Sequence, residues 1–248
     1  MELVVLDTPE AIAERAADAI EELLASKPDA VLGTATGSSP LPLYDELVRR
    51  CAAGRLSFAR VTGFMLDEYV GLPDEHPERY ATFMERNLRS RVDMRPGALH
   101  GPDALSEDLE AACRDYEAQM AQAGYCDLQI LGIGSDGHIG FNEPADAFTR
   151  ITHKVALKES TIAANARFFT SQDEVPREAM SMGIGTIFRA RHIVLLASGA
   201  EKAEAVRDAV KGAITPRVPA SILQLHPSVT LIVDQEAGSL LKAEKSDS

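Results

Sequence analysis

The sequence predicts a doubly wound α/β domain, in which a mostly parallel sheet is covered by helices on both faces. Short apolar runs rich in Val, Ile and Leu recur along the chain, and segments with helical periodicity separate them. Strands that alternate with helices in this way form parallel sheets. The predicted strands are residues 3–6, 30–33, 61–66, 128–133, 193–197 and 229–233.

The first predicted helix begins after the strand at residues 3–6, where Thr8 can act as the N-cap and Pro9 suits the opening position. Its apolar residues then line one face: Ile12, Ala16, Ala19, Ile20, Leu23 and Leu24. Further helices are predicted at residues 40–51, 77–91, 106–123, 177–188 and 200–211. Residues 142–177 contain no strong strand, and we expect a lid-like insertion at about residues 145–176. With a frayed polar tail at residues 242–248, the sequence predicts one domain over residues 1–241.

Composition and charge narrow the class of protein. The 248 residues are 45% apolar and 25% charged, as in ordinary globular chains. The net charge of -13 disfavours nucleic acid and anionic membranes as partners, because both attract basic surfaces. The chain has no signal-peptide pattern and no long apolar run, and its three cysteines lack metal-ligand spacing, so we expect a cytoplasmic protein.

Residues 33–40 (GTATGSSP) follow a predicted strand and precede a predicted helix. Backbone N–H groups of Gly37, the hydroxyls of Thr36, Ser38 and Ser39, and the start of a helix can together cradle a phosphate. The same residues are equally typical of a plain helix cap. No Gly-Lys-Ser/Thr follows, so the segment is not a nucleotide-hydrolysing P-loop.

Two acidic residues, Asp67 and Glu68, follow the apolar residues 64–66. Adjacent side chains on a strand point in opposite directions, so one carboxylate can face a cleft as a general base while the other pairs with a basic group of the scaffold. Taken alone, the pair is more typical of a solvated acidic turn.

Residues 134–144 (GSDGHIGFNEP) place Asp136, His138 and Glu143 among glycines at the end of a predicted strand. An imidazole beside carboxylates is suited to proton transfer near neutral pH. A metal site is the rival interpretation, but one His without a second His or Cys is a poor zinc set. Residues 132–137 match the dinucleotide pattern G-x-G-x-x-G, yet Gly140 and Pro144 interrupt the helix which that fold requires, so no nicotinamide cofactor is predicted.

A phosphorylated substrate would need local cations in so acidic a protein. Arg167 and Lys202 could supply them, although each alone is more typical of a surface charge.

Together these segments closely resemble the glucosamine-6-phosphate deaminases, also called glucosamine-6-phosphate isomerases. The resemblance covers almost the whole chain and rests on several motifs in order: residues 35–40, 66–72, 76–80, 134–144, 165–169, 182–186 and 223–227. It implies a modified Rossmann-like fold without a cofactor. It also implies the conversion of glucosamine 6-phosphate and water into fructose 6-phosphate and ammonia.

The resemblance implies roles for particular residues. Asp67 would move the proton between C2 and C1, and His138 would open the pyranose ring with Asp136 and Glu143 orienting it. The phosphate site would consist of Thr36, Gly37, Ser38, Ser39, Arg167 and Lys202.

One departure concerns regulation. Some bacterial members of the resembling family are activated by N-acetylglucosamine 6-phosphate through basic residues between the Asn-Glu-Pro and Asn-Ala/Ser-Arg-Phe-Phe motifs. This chain has His153 and Val155 at those positions, with Asp146 close by in the sequence. We therefore expect an enzyme without this activation.

Three other functions compete with deamination of glucosamine 6-phosphate. A 6-phosphogluconolactonase usually has Asp-Glu-Arg where this chain has Asp-Glu-Tyr at residues 67–69, and it lacks the Asn-Glu-Pro continuation. A galactosamine 6-phosphate deaminase differs by the stereochemistry of one hydroxyl, which the sequence leaves open. A sugar-phosphate-sensing module would need a DNA-binding appendage, for which one α/β domain leaves no room. Whether the chain forms a homo-oligomer also stays open.

Overall fold

The computed structural model describes residues 1–241 and contains a seven-stranded parallel sheet with helices on both sides. Its strands are β1 (Glu2–Leu6), β2 (Val31–Thr34), β3 (Thr62–Met65), β5 (Leu99–His100), β6 (Leu128–Gly132), β9 (His192–Ala197) and β10 (Val229–Asp234). Their order across the sheet is β1-β10-β9-β6-β2-β3-β5, and each neighbouring pair is parallel. The predicted α/β fold is confirmed. The predicted tail at residues 242–248 lies outside the described residues.

A second, smaller sheet stands apart from the large one. It consists of β4 (Asp67–Tyr69), β7 (His153–Ala156) and β8 (Glu178–Ser181), with β8 in the middle and both pairings antiparallel. In its register Asp67 is opposite Ser181. The small sheet therefore attaches the residues that follow β3 to a much later part of the chain.

The helices are α1 (Pro9–Ser26), α2 (Leu41–Ala52), α3 (Tyr80–Asn87), α4 (Leu109–Ala123), α5 (Glu159–Asn165), α6 (Ile184–Ile187) and α7 (Ala203–Lys211). As predicted, Thr8 caps α1: its hydroxyl accepts a hydrogen bond of 3.1 Å from the amide of Ala11. Helices α3 and α4 begin about one turn later than the sequence predicted, at Tyr80 and Leu109.

Two predictions between residues 142 and 188 are wrong. The expected absence of a strand in residues 142–177 fails because β7 lies there; its residues alternate between half-buried and exposed, which leaves only a weak apolar signal. The helix predicted at residues 177–188 is instead β8 followed by the single turn α6. Strand pairing on both sides of β8 overrides its helical composition, and Gly183 and Gly185 lie too close to the carbonyls of Ile151 and Arg150 to admit a side chain.

The order of the strands fixes where a ligand can bind. From β2 the chain moves outward to β3 and β5, whereas from β6 it moves in the other direction to β9 and β10. The two adjacent strands β2 and β6 therefore flank a topological switch point, where the loops beyond their carboxyl ends diverge and leave a crevice. Those loops are residues 35–40 and residues 133–144, the two segments in which the sequence concentrates candidate functional residues.

Candidate active site

A cleft of about 550 Å³ opens at this switch point. Loops after β2 and β6 form its floor, α3 and the aromatic residues near it form one wall, and residues 160–169 form another. The volume is within the range of pockets that hold a small ligand. Of the sequence-predicted residues, the cleft is lined by Thr36, Gly37, Ser38, Ser39, Asp67, Asp136, His138, Arg167 and Lys202.

The loop of residues 35–40 leads into the N-terminus of α2 without covering it with a side chain. Gly37 has φ of +96°, a left-handed conformation that L-residues rarely adopt, and it turns the chain from β2 into α2. No side chain caps the N-terminus of α2, whose first amide, that of Leu41, donates only to the carbonyl of Ser38 at 3.4 Å. Tyr44 fixes the loop from behind, because its hydroxyl donates to the carbonyl of Ala35 at 2.6 Å. Amides and hydroxyls of this loop can therefore bind an anion.

Two cations share the cleft with that loop. Lys202 follows β9 in a short 3₁₀ turn, and Arg167 follows α5. Burial lowers the pKa of Lys202; Glu201 and Asp136 raise it, and the nearby Arg167 lowers it further. Lys202 and Arg167 are thus close enough to repel each other, and a bound phosphate would relieve that repulsion.

A buried aspartate lies deeper in the same cleft. Asp67 is 6% exposed, and its Oδ1 is buried without a hydrogen-bond partner in residues 1–241. Burial raises the pKa of Asp67 to about 8, with a contribution from the adjacent carboxylate of Glu68. A carboxyl group in a cleft whose pKa is close to physiological pH is suited to accept and return a proton.

The neighbouring carboxylate does not line this cleft. Glu68 is 1% exposed and accepts hydrogen bonds of 2.9 Å from the backbone amides of Tyr69, Tyr80 and Ala81. Arg79 lies 3.6 Å from it. The two acids therefore point to different surroundings, with Asp67 toward the cleft and Glu68 toward a scaffold cation.

The imidazole of His138 packs against the backbone of its own loop. Its Nδ1 lies 2.6 Å from Oδ1 of Asp136, which also accepts a hydrogen bond from the His138 amide at 3.1 Å. Burial of Asp136 opposes ionisation, but the hydrogen bond and charge of His138 lower the pKa of Asp136 to about 2. Because an ionised Asp136 is an acceptor, Nδ1 of His138 carries the proton and Nε2 is left to exchange one with a ligand. Gly134 is required beneath the ring, since a Cβ there would overlap it.

Glu143 is placed differently from the expectation that it orients His138. Its carboxylate accepts a hydrogen bond from the hydroxyl of Thr161 on α5, and within residues 1–241 it has no hydrogen bond to His138. It is also not among the side chains that line the cleft. Glu143 instead links the loop after β6 to the segment at residues 145–176.

An aromatic wall beside Asp67 was not predicted from the sequence. The ring of Tyr69 lies 4.8 Å from Tyr80, 5.6 Å from Phe141 and 6.0 Å from Phe169, measured between centroids. All four line the cleft. In the sequence these residues resemble ordinary core aromatics; the one available signal was that Tyr69 and Phe141 lie within the two motifs that carry the candidate acids and base.

Comparison with known proteins places this geometry in a family. The model of the glucosamine-6-phosphate isomerases/6-phosphogluconolactonase family matches residues 7–232. The chain belongs to this family. A glucosamine-6-phosphate deaminase from Pseudarthrobacter chlorophenolicus is 54% identical over 98% of this chain and 93% of its own length. One from Mycolicibacterium smegmatis is 51% identical with the same coverage.

Solved structures of the glucosamine-6-phosphate isomerase/6-phosphogluconolactonase family agree with the fold. A monomeric glucosamine-6-phosphate deaminase has a TM-score of 0.94 and 44% identity, covering 97% of this chain and 100% of that chain. The 6-phosphogluconolactonase from Trypanosoma cruzi has a TM-score of 0.77 at 19% identity, covering 98% and 97%, and at that identity the likeness shows the fold alone.

Two further properties of residues 1–241 bear on ligands and membranes. No group of three or more His, Cys, Asp or Glu side chains there is arranged to hold a metal ion. Among the same residues, no helix combines the length and the apolar character that crossing a bilayer requires.

Proposed function

We propose that this chain is a glucosamine-6-phosphate deaminase, which converts glucosamine 6-phosphate and water into fructose 6-phosphate and ammonia. The observation that carries the proposal is the buried carboxyl of Asp67, which lacks a partner for Oδ1 and shares a cleft with His138 and with a cationic, helix-terminal anion site. The relatives at 54% and 51% identity, both named glucosamine-6-phosphate deaminase, support it.

In the proposed reaction the phosphate binds at the N-terminus of α2, where residues 36–39, Arg167 and Lys202 hold it. The opposite end of the sugar then reaches toward Asp67 and His138. Fixing the charged end of the substrate orients its C1 and C2 atoms without taking part in the chemistry.

Ring opening is assigned to His138. Its Nε2 takes the proton of the C1 hydroxyl and delivers it to the ring oxygen, so the bond between C1 and the ring oxygen breaks and an aldehyde forms at C1. Asp136 keeps Nδ1 protonated at 2.6 Å and stabilises the imidazolium that forms between the two transfers.

Isomerisation and deamination are assigned to Asp67. Its carboxylate removes the C2 proton while the C1 carbonyl oxygen takes up a proton from solvent, which gives an enolamine. The protonated carboxyl of Asp67 then returns its proton to C1 as the nitrogen's electron pair forms an iminium at C2. Water then adds to this iminium, the C2–N bond breaks, and ammonia leaves with the ketose as the second product. A pKa near 8 suits a group that must both take and return one proton.

One experiment tests the activity. Purified protein is incubated with glucosamine 6-phosphate, and ammonia and fructose 6-phosphate are measured together. D67N is expected to lose at least about 10²-fold in kcat while keeping its fold, because positioned proton transfer contributes about 10² to 10⁴ in rate. D115N, at an exposed position of α4, is the matched control. Ammonia release by D67N at the wild-type rate would refute the assignment of Asp67 as the base.

Substrate choice is tested in the same assay. Galactosamine 6-phosphate, which also releases ammonia, is compared by kcat/KM with the gluco substrate, and we expect the gluco substrate to be preferred. 6-Phosphogluconolactone releases no ammonia, so its hydrolysis is followed by acid production. Hydrolysis of the lactone in place of deamination would reassign the chain within its family.

We expect no activation by N-acetylglucosamine 6-phosphate. Burial lowers the pKa of His153, so it is neutral rather than cationic at neutral pH, and Lys154 beside it is paired with Glu178 at 2.8 Å. His153 and Lys154 line a second cleft, separate from the active site, together with the cation Arg114 and three carboxylates, namely Glu107, Asp108 and Glu110. An anionic effector would meet net negative charge there. Sigmoidal substrate kinetics that become hyperbolic on adding the effector would contradict this.

The segment at residues 145–176 is proposed to act as the lid. Its helix α5 contributes Ser160, Thr161 and Ala164 to the cleft wall, and Arg167 follows directly. The hydrogen bond from Thr161 to Glu143 supports this role, because it ties the lid to the loop that carries His138.

A further inference from the structure

Glu68, the residue next to the proposed base Asp67, is buried in a set of hydrogen-bond donors. Glu68 is almost fully buried, and both of its oxygens are occupied: Oε1 accepts from the amides of Tyr69 and Tyr80, and Oε2 from that of Ala81. An ionised carboxyl group is purely an acceptor, so three N–H donors and a nearby guanidinium match its charged form. Burial raises the pKa of Glu68, whereas the three amides and the Arg79 guanidinium lower it by favouring the ionised form. In that form Glu68 brings a buried negative charge to the position beside Asp67.

Among residues 1–241, Arg79 is the cation that pairs with the charge of Glu68. Arg79 is 7% exposed; its Nε lies 3.6 Å from Glu68, and its Nη1 is bonded to Asp74. Within residues 1–241, only two buried side-chain polar atoms lack a hydrogen-bond partner: Oδ1 of Asp67 and Nε of Arg79. Arg79 contacts Glu68, and Glu68 is the neighbour of Asp67 on β4, so Glu68 links a cation of the scaffold to the acid of the cleft.

Four tyrosines of the described residues also surround Asp67, and they add no charge of their own. Burial raises the pKa of the neighbouring tyrosines, which are therefore neutral at physiological pH: Tyr69 on β4, Tyr44 on α2, Tyr80 on α3 and Tyr116 on α4. The remaining charged or titratable groups share the cleft itself and face the substrate: Asp136, His138, Arg167, Lys202, Glu78 and Arg86. Glu68 is thus the carboxylate whose charge affects Asp67 from the side away from the cleft.

We propose that Glu68 and Arg79 are positioning residues that set the proton affinity of Asp67, with Glu68 holding it high through its charge and Arg79 limiting that effect. Glu68 also fixes the backbone of Asp67, since it ties β4 to the first turn of α3. The proposal rests on the assignment of Asp67 as the base. It assigns opposite effects to two residues that never touch the substrate.

The experiment compares E68Q, R79Q and R79K with wild type. The acidic limb of kcat/KM against pH reports the base of the free enzyme, and the ionisations of the substrate are the same for all variants. Loss of the negative charge in E68Q should move this limb to lower pH by about one unit, and loss of the positive charge in R79Q should move it to higher pH by a smaller amount, because Arg79 contacts Glu68 and not Asp67. R79K keeps the charge and should leave the limb in place.

A second measurement does not depend on activity. The protonated carboxyl of Asp67 is titrated by difference infrared spectroscopy in the substrate-free protein, with D67N as the reference that removes its band. The same two shifts of opposite sign are expected. If wild type releases no ammonia while these shifts appear, the proposed function fails and the role of Glu68 stands.

Three outcomes would overturn the inference. The first is a pH limb and an infrared titration that stay in place in both E68Q and R79Q, even if activity falls at every pH, because such a fall alone indicates a structural role. The second is a shift of the same sign in both variants. The third applies if E68Q does not fold, because its side-chain amide would face the N–H of Ala81. R79Q and R79K are then compared with each other. The same acidic limb of kcat/KM against pH in both variants would refute the proposal.

Discussion

Replacing the carboxyl of Asp67 with an amide is expected to make the protein more stable at pH 8 while removing its activity. In the unfolded chain this group ionises near its ordinary pKa of 3.8, whereas burial raises its pKa in the folded protein to about 8. Between these two values the folded protein holds a proton that the unfolded chain has released, so the free energy of unfolding falls as pH rises. The asparagine of D67N carries no such cost.

The size of this effect follows from the two pKa values. The gap between 3.8 and about 8 corresponds to at most about 6 kcal/mol, approached at pH 8 and above and largely absent near pH 4. For a domain of this length, 1 kcal/mol moves Tm by about 2 to 4 °C, so a gain on the order of 10 °C is expected for D67N at pH 8.

The assay is thermal and urea unfolding of wild type, D67N and D115N at pH 5 and at pH 8. The stability advantage of D67N over wild type should grow between the two pH values, whereas the control at the exposed Asp115 should show none. An advantage that is absent at pH 8, or that does not grow with pH, would refute the reasoning that a buried carboxyl without a partner is held in the cleft at the expense of stability.

Three further predictions follow from contacts in the site. Methionine at Lys202 or Arg167 should raise KM for glucosamine 6-phosphate by about 10-fold or more with a smaller change in kcat, since charged hydrogen bonds contribute about 1.5 to 3 kcal/mol; steady-state kinetics that show an unchanged KM in both variants would count against the phosphate site. G134A should lower kcat by about 10²-fold, because its methyl group displaces the ring of His138; activity equal to wild type would mean that the ring position does not matter. S181A should lose about 1 to 3 kcal/mol in urea unfolding, because the amide of Phe141 donates to the Ser181 hydroxyl at 3.0 Å and both are buried; unchanged stability would show that the bond is replaced.

Six of the seven strands of the large sheet could be predicted from the sequence because most of their residues are apolar, whereas β5, with only two residues, was missed. All six residues of β10 are buried, as are four of the five residues of β6. Such continuous apolar runs are recognisable without knowledge of their neighbours. The order of these strands was not predicted; the structure shows that β2 and β6 are adjacent, which places the loops that follow them at one crevice.

The small sheet could not be predicted in this way. Strand β4 has three residues, β7 alternates weakly, and β8 has a composition that favours a helix. These strands exist because they pair with one another, and pairing between distant segments leaves no local pattern. The same limit applies to Glu143, whose contact with Thr161 depends on where α5 lies.

The pairing of Asp67 with Ser181 also determines when the protein becomes competent during folding. These two residues are far apart in the chain, and Ser181 additionally binds the amide of Phe141 in the loop that follows His138. A nascent chain that has emerged only as far as the loop after β6, residues 133–144, already contains Asp67, Asp136 and His138, yet it lacks β8, the strand that brings them together. Contacts of such long sequence separation form late and slowly. Catalytic competence should therefore appear only after the last third of the chain has been synthesised, and not in proportion to the length made.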